Sequence, residues 1–95
     1  MLIENFRKQL NLELLALIQK AEDSDFVLTS ELEKAVVKSG MFADEVNSPT
    51  IKLLANVLHY KVANCYSSEI NVKDDMLMPD LKKLQHFVAE IVPQK

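Results

Sequence analysis

SPTIKLLANVLHYKVANCY, Ser48 to Tyr66, is the stretch whose reading decides the fold. Ser48 can cap a helix, and Pro49 suits the first helical position, where a missing N–H costs nothing. On a helical wheel, Ile51, Leu54, Ala55, Leu58, Val62 and Cys65 share one face, while Leu53, Val57 and Tyr60 form a second. Lys52, Asn56 and His59 leave only a narrow polar strip. A helix apolar on two sides is normally covered on two sides. The stretch therefore reads as the central helix of a small helical domain, with the Leu53/Val57/Tyr60 face either core or interface.

Upstream, Met41 to Asn47 (MFADEVN) reads as a connection with Met41, Phe42 and Val46 tucked inward. Before it, Ser30-Glu31-Leu32-Glu33 is a capping-box pattern, in which hydroxyl and carboxylate each satisfy an orphan backbone N–H. It predicts a helix from Glu31 to Ser39 that buries Leu32, Ala35 and Val36 and is capped by Gly40. The first helix, Leu2 to Ala21, carries Ile3, Phe6, Leu10, Leu14, Leu17 and Ala21 on one stripe. Leu12, Leu15 and Ala16 lie off that stripe; either another helix of the chain covers them or they form a surface for a partner.

Downstream, the chain loosens into SSEINVKDDMLM, Ser67 to Met78. Glu69 to Val72 alternates as a short strand would, and could pair with Phe26–Thr29. An isolated two-stranded ribbon is marginal, so a long loop with one or two anchors is the preferred expectation. Pro79 then opens a last helix in which Leu81, Leu84, Phe87, Val88 and Ile91 face inward and Pro93 ends the run. The expected fold is all-α, a single four-helix domain over residues 1–95 with helices near 2–21, 31–39, 49–66 and 79–92.

Composition supports that class. One glycine and three prolines are too few for a turn-rich sandwich or barrel, and 95 residues leave room for one core. The net charge is −3, with Arg7 the only arginine and the lysines scattered apart from Lys82–Lys83. Phosphate neutralisation needs clustered Lys and Arg, so nucleic acid and anionic membrane are disfavoured as partners. A helix-turn-helix joins its helices through about three or four residues, and the predicted linker is about twice that. The candidate recognition helix begins Pro-Thr-Ile-Lys, without an arginine or glutamine to read bases. No run of about 18 apolar residues exists and no secretory pattern opens the chain, which makes a soluble cytoplasmic protein the expectation.

Few residues suggest chemistry. Cys65 is the only cysteine, so it can make no internal disulfide and no thiolate zinc cluster; it reads as a small buried hydrophobe. His59 and His86 lack a nucleophile at usable helical spacing, and no G-x-S-x-G elbow is present. Asp74–Asp75 point in different directions and lie in no D-x-D-x-D-G loop, and Asp23 and Asp25 read as turn chemistry. No cofactor, metal or small-molecule substrate is expected. Met76-Leu77-Met78 stands out instead as an apolar run before a proline: either Leu77 plugs the core, or the run docks a partner helix.

The register Leu32-x-x-Ala35-Val36 followed by Asp44-x-Val46-Asn47-x-x-x-Ile51-x-Leu53 resembles the AriR-type small helical regulators of enterobacterial acid resistance and biofilm formation. The resemblance covers about a fifth of the chain and implies a homodimeric stress regulator; the long Ser67–Met78 segment departs from that family's compact hairpin.

The residues themselves point to a non-enzymatic protein–protein interaction module, as in a small regulator, adaptor, inhibitor or immunity protein, or secretion-type chaperone. It would act through apolar helix surfaces at Leu12, Leu15, Ala16, Leu53, Val57, Tyr60, Met76, Leu77 and Met78, as a homodimer or with another protein. The competing expectation is a dimeric DNA-binding regulator of the stress or biofilm type.

Overall fold

The computed structural model describes residues 2–73 and 76–91. Its elements follow the order α1 (Leu2–Ser24), β1 (Phe26–Leu28), α2 (Thr29–Val46), α3 (Pro49–Ala63), β2 (Glu69–Asn71) and α4 (Met78–Glu90). Ser48 behaves as its position predicts: its hydroxyl oxygen accepts the Ile51 N–H at 3.2 Å, and Pro49 begins α3. From there Ile51, Ala55, Leu58 and Val62 run into the core, with Leu54 and Cys65 packed at its edge. The all-α, four-helix class holds, and its helix ends differ in instructive places.

The largest difference is α2, which extends to Val46 and does not stop at Ser39. Gly40 lies inside it at an ordinary negative φ. A glycine in a helix interior costs about 1 kcal/mol. Beyond it, however, Phe42, Ala43 and Val46 carry the buried face of Leu32, Ala35, Val36 and Ser39 onward. Burying the Phe42 side chain completely outweighs the glycine. The stop falls instead at Asn47, left-handed at φ 55, whose N–H reaches the carbonyls of Ala43 and Asp44. The expected capping box does not form, because the helix begins earlier: Leu28 is the N-cap and no side chain caps it.

Two consequences follow. The link between α2 and α3 is only Asn47–Ser48, so the length argument against a helix-turn-helix does not stand. And Gly40 has no conformational reason to be glycine. An added Cβ would meet only Lys52 Nζ, at 3.9 Å, an ordinary contact. Gly40→Ala is expected to raise unfolding stability by about 0.5–1 kcal/mol, read as a higher denaturant midpoint at unchanged slope.

The ribbon also forms, against the preference for a plain loop. β1 pairs antiparallel with β2, with Val27 opposite Ile70. The backbone N–H of Thr29 continues the pairing to the Ser68 carbonyl, and that of Val72 to the Asp25 carbonyl, each at 2.9 Å. Such a ribbon is marginal alone. Here Val27, Ile70 and Val72 are buried among the helices and supply the missing support. The αβα order therefore occurs twice, although the sequence carries no repeat that announces it.

α1 and α3 each pack chiefly against α2 and α4, so they stand on opposite sides of the bundle. Arg7 fastens one end of α1: it donates to Glu4 within the helix and to the Ala89 carbonyl of α4 at 2.9 Å. Its hydrogen bond, then its charge, holds the Glu4 carboxyl below its ordinary value. The core between the helices is built from Leu10, Leu14, Leu17, Leu32, Phe42, Leu58, Leu81 and Leu84, all deeply buried.

Candidate functional site

The second face of α3 is left uncovered. Leu53 is 64% exposed and Tyr60 73%, with Val57 between them at 37%. The reason lies in the packing directions. α2 takes the side bearing Lys52, which pairs with Asp44 at 3.0 Å, and α4 takes the side bearing Lys61, which pairs with Asp80 at 3.3 Å. Nothing among the described residues crosses the third side.

That face continues into a groove of about 530 Å³ between α3 and α4, lined by Leu53, Leu54, Lys83, His86 and Phe87 among others. Phe87, expected to face inward, is 39% exposed, because Leu84 and Val88 already fill the inward positions of that turn. The basic rim is uneven. Lys82 is held by Glu22 of α1 at 3.4 Å, while Lys83 has no ion-pair partner among the described residues. In a chain of net charge −3 this groove combines an apolar floor with a local positive edge.

On the far side of the bundle, Leu12 is 61% and Leu15 42% exposed, and Ala16 is exposed with them. α1 meets α4 through Gln85, which donates to Asn11 at 2.8 Å, and meets α2 through Glu13–Lys38 at 2.7 Å and Lys20–Glu31 at 2.9 Å. Both contacts flank the leucines without reaching over them. No described helix covers Leu12 and Leu15.

The Met76–Met78 run is divided. Met76 is 71% exposed at φ 57. Leu77, expected among the partner-facing residues, is wholly buried and belongs to the core instead: its N–H reaches the Val72 carbonyl and its own carbonyl accepts the first α4 bond from Leu81. Met78 is half-buried against that core. Asp74 and Asp75 lie outside the described residues.

Several exposed apolar residues were not anticipated: Phe26 and Leu28 on the outer ribbon face, Val37 on α2, and Tyr66 after α3; Met41, expected to tuck inward, is exposed as well. The unbroken apolar run Phe26-Val27-Leu28 was the available signal, since a strand buries only every second residue and leaves the other two outside.

The chemically suggestive residues stay apart. His59 lies in a groove with Val37, Met41 and Asp44, whereas Cys65 lies in another with Tyr60, Asn64 and Ile70. His86 stacks edge-on against Phe87 with ring centres 5.8 Å apart. Among the described residues no group of three or more His, Cys, Asp or Glu side chains is placed to hold a metal ion. No described helix is long and apolar enough to cross a membrane. Comparison with protein-family models, curated proteins and solved structures finds no match to this chain. The regulator-like register falls mainly on Leu32, Ala35, Val36, Val46 and Ile51, which are buried where α2 and α3 meet, so helix-hairpin packing accounts for it.

Proposed function

We propose that this protein is a non-enzymatic interaction module with two working faces. The outer face of α1, at Leu12, Leu15 and Ala16, joins two copies of the chain. The Leu53/Val57/Tyr60 face and the adjoining α3/α4 groove receive an amphipathic helix of another protein. The carrying observation is that two apolar faces on opposite sides of one small bundle remain uncovered by the described residues. Associating such faces removes apolar area from water at roughly 25 cal/mol per Å², before the cost of association. Because the faces are opposed, using one for self-association leaves the other open. The Lys83 and Lys82 edge favours a partner helix with acidic residues beside its apolar anchors.

Sedimentation tests the first face. The native chain is expected to form dimers, and Leu12→Glu or Leu15→Glu to weaken them by about 30-fold or more, because each places a charge in a dry contact. Helical circular dichroism should stay unchanged, as should melting at concentrations where both chains are monomeric. A native chain that is monomeric at all concentrations, or variants that dimerise as well as it does, would remove the self-association claim.

The DNA-binding reading retains one supporting observation, the two-residue link between α2 and α3. Against it, the open face of α3 presents leucine, valine and tyrosine, not the basic and amide side chains that read base edges. Duplex binding that collapses between low and physiological salt would reverse this preference.

A further inference from the structure

The turn between α1 and α2 has a backbone that its side chains contradict. Asp25 is left-handed at φ 65. Counting the twelve residues from Lys20 to Glu31 places Asp25 sixth and a glutamate twelfth. That is the register of the EF-hand calcium loop, with its sharp turn at the sixth residue, a carbonyl ligand at the seventh and a bidentate glutamate at the twelfth. The marks from the turn onward agree, whereas the first five residues, 20–24, still belong to α1. The short strand Phe26–Leu28 follows the turn, and the exit helix starts at Thr29. The fifth residue, Ser24, donates its hydroxyl to the carbonyls of Lys20 at 3.0 Å and Phe26 at 3.1 Å, so the fifth side chain and the seventh carbonyl converge inside the turn.

The donor set does not fit a divalent cation. Such a loop takes oxygen from its first, third, fifth, seventh, ninth and twelfth residues. Here the first is Lys20, itself a cation, and the ninth is Leu28, which offers no side-chain oxygen. The twelfth, Glu31, is already engaged by the Lys20 ammonium at 2.9 Å. The second turn is no better placed. The Val27–Ile70 pairing sets Ala63 where Lys20 stands in the first, and α4 begins only at Met78.

We propose that the Lys20 ammonium takes the place of the metal ion: a charge carried by the chain closes this helix–loop–helix, whose shape is then independent of calcium. The pair is half-exposed, at 55% and 41% for its two side chains, so it adds little stability of its own. Its effect is exclusion. It neutralises the glutamate that a cation would need and occupies the approach to it.

Calcium titration of the metal-free native chain, followed by calorimetry and amide NMR, tests this. No heat and no loop shifts are expected up to about 1 mM, the weak end of such loops. The double variant Lys20→Asp/Leu28→Asp is expected to gain a site with a dissociation constant of about 10⁻⁴–10⁻³ M, with shifts centred on residues 24–31. Should that variant unfold without metal, recovery of its helicity by calcium supports the proposal equally. The proposal is overturned if the native chain binds calcium in this loop below about 1 mM. It is equally overturned if the variant, folded or not, fails to respond at about 10 mM.

Discussion

Replacing Phe42 with alanine is expected to cost about 3–5 kcal/mol, a large share of the roughly 5–15 kcal/mol that holds a small domain together. Phe42 is fully buried and meets Phe6 edge-to-face, with ring centres 5.6 Å apart. Its removal deletes the aromatic contact and leaves a void that α1 and α2 can only partly close. The test is denaturant unfolding followed by circular dichroism, with Phe42→Leu alongside. The leucine variant should lose markedly less, since it refills most of the volume. If Phe42→Ala costs under about 1 kcal/mol, the second half of α2 is not part of the core, and the helix end belongs near Gly40 after all.

That residue also marks where the sequence was legible and where it was not. Ser48-Pro49 and the Ile51/Ala55/Leu58/Val62 spacing were readable because cap chemistry and the 3.6-residue period are local and strong. The extent of α2 was not, because a local stop signal at Gly40 competed with the burial of Phe42, Ala43 and Val46 that only the assembled bundle supplies. The ribbon was legible only as the less favoured alternative to a loop, for the same reason: three residues at each strand gain their stability from helices distant in sequence. At the candidate surfaces, Leu12, Leu15, Leu53, Val57 and Tyr60 could be placed off the main stripes by the helical wheel alone. Leu77 could not. Whether a loop residue points in or out depends on a neighbour's hydrogen bond, here Leu77 N–H to the Val72 carbonyl, which no periodicity encodes.

Leu53→Glu combined with Phe87→Ala is expected to lower affinity for the proposed partner helix by about 100-fold or more while leaving the domain folded. The magnitude follows from hot-spot behaviour: truncating a central aromatic or burying an unpaired charge each costs roughly 2 kcal/mol or more, and 1.4 kcal/mol is tenfold. Folding should survive because Leu53 and Phe87 already spend much of their surface in water, whereas Leu58 and Leu84 beside them do not. The measurement begins with helical peptides selected against the native protein and continues as direct titration of the winners onto the double variant. Selected peptides should carry apolar anchors at i, i+3 or i+4 and i+7, with Asp or Glu on the side that meets Lys83. Lys83→Glu should then weaken acidic winners more strongly at low salt than at high salt, since exposed charges are screened beyond about 10 Å at 0.1 M. Retained affinity in the Leu53/Phe87 variant would place the partner elsewhere. The α1 variants separate the two faces: Leu12→Glu should weaken dimers yet bind the same peptides unchanged, because α1 and α3 stand on opposite sides of the bundle. Loss of peptide binding in that variant would mean that the groove is completed only in the dimer, and the two faces would have to be treated as one site.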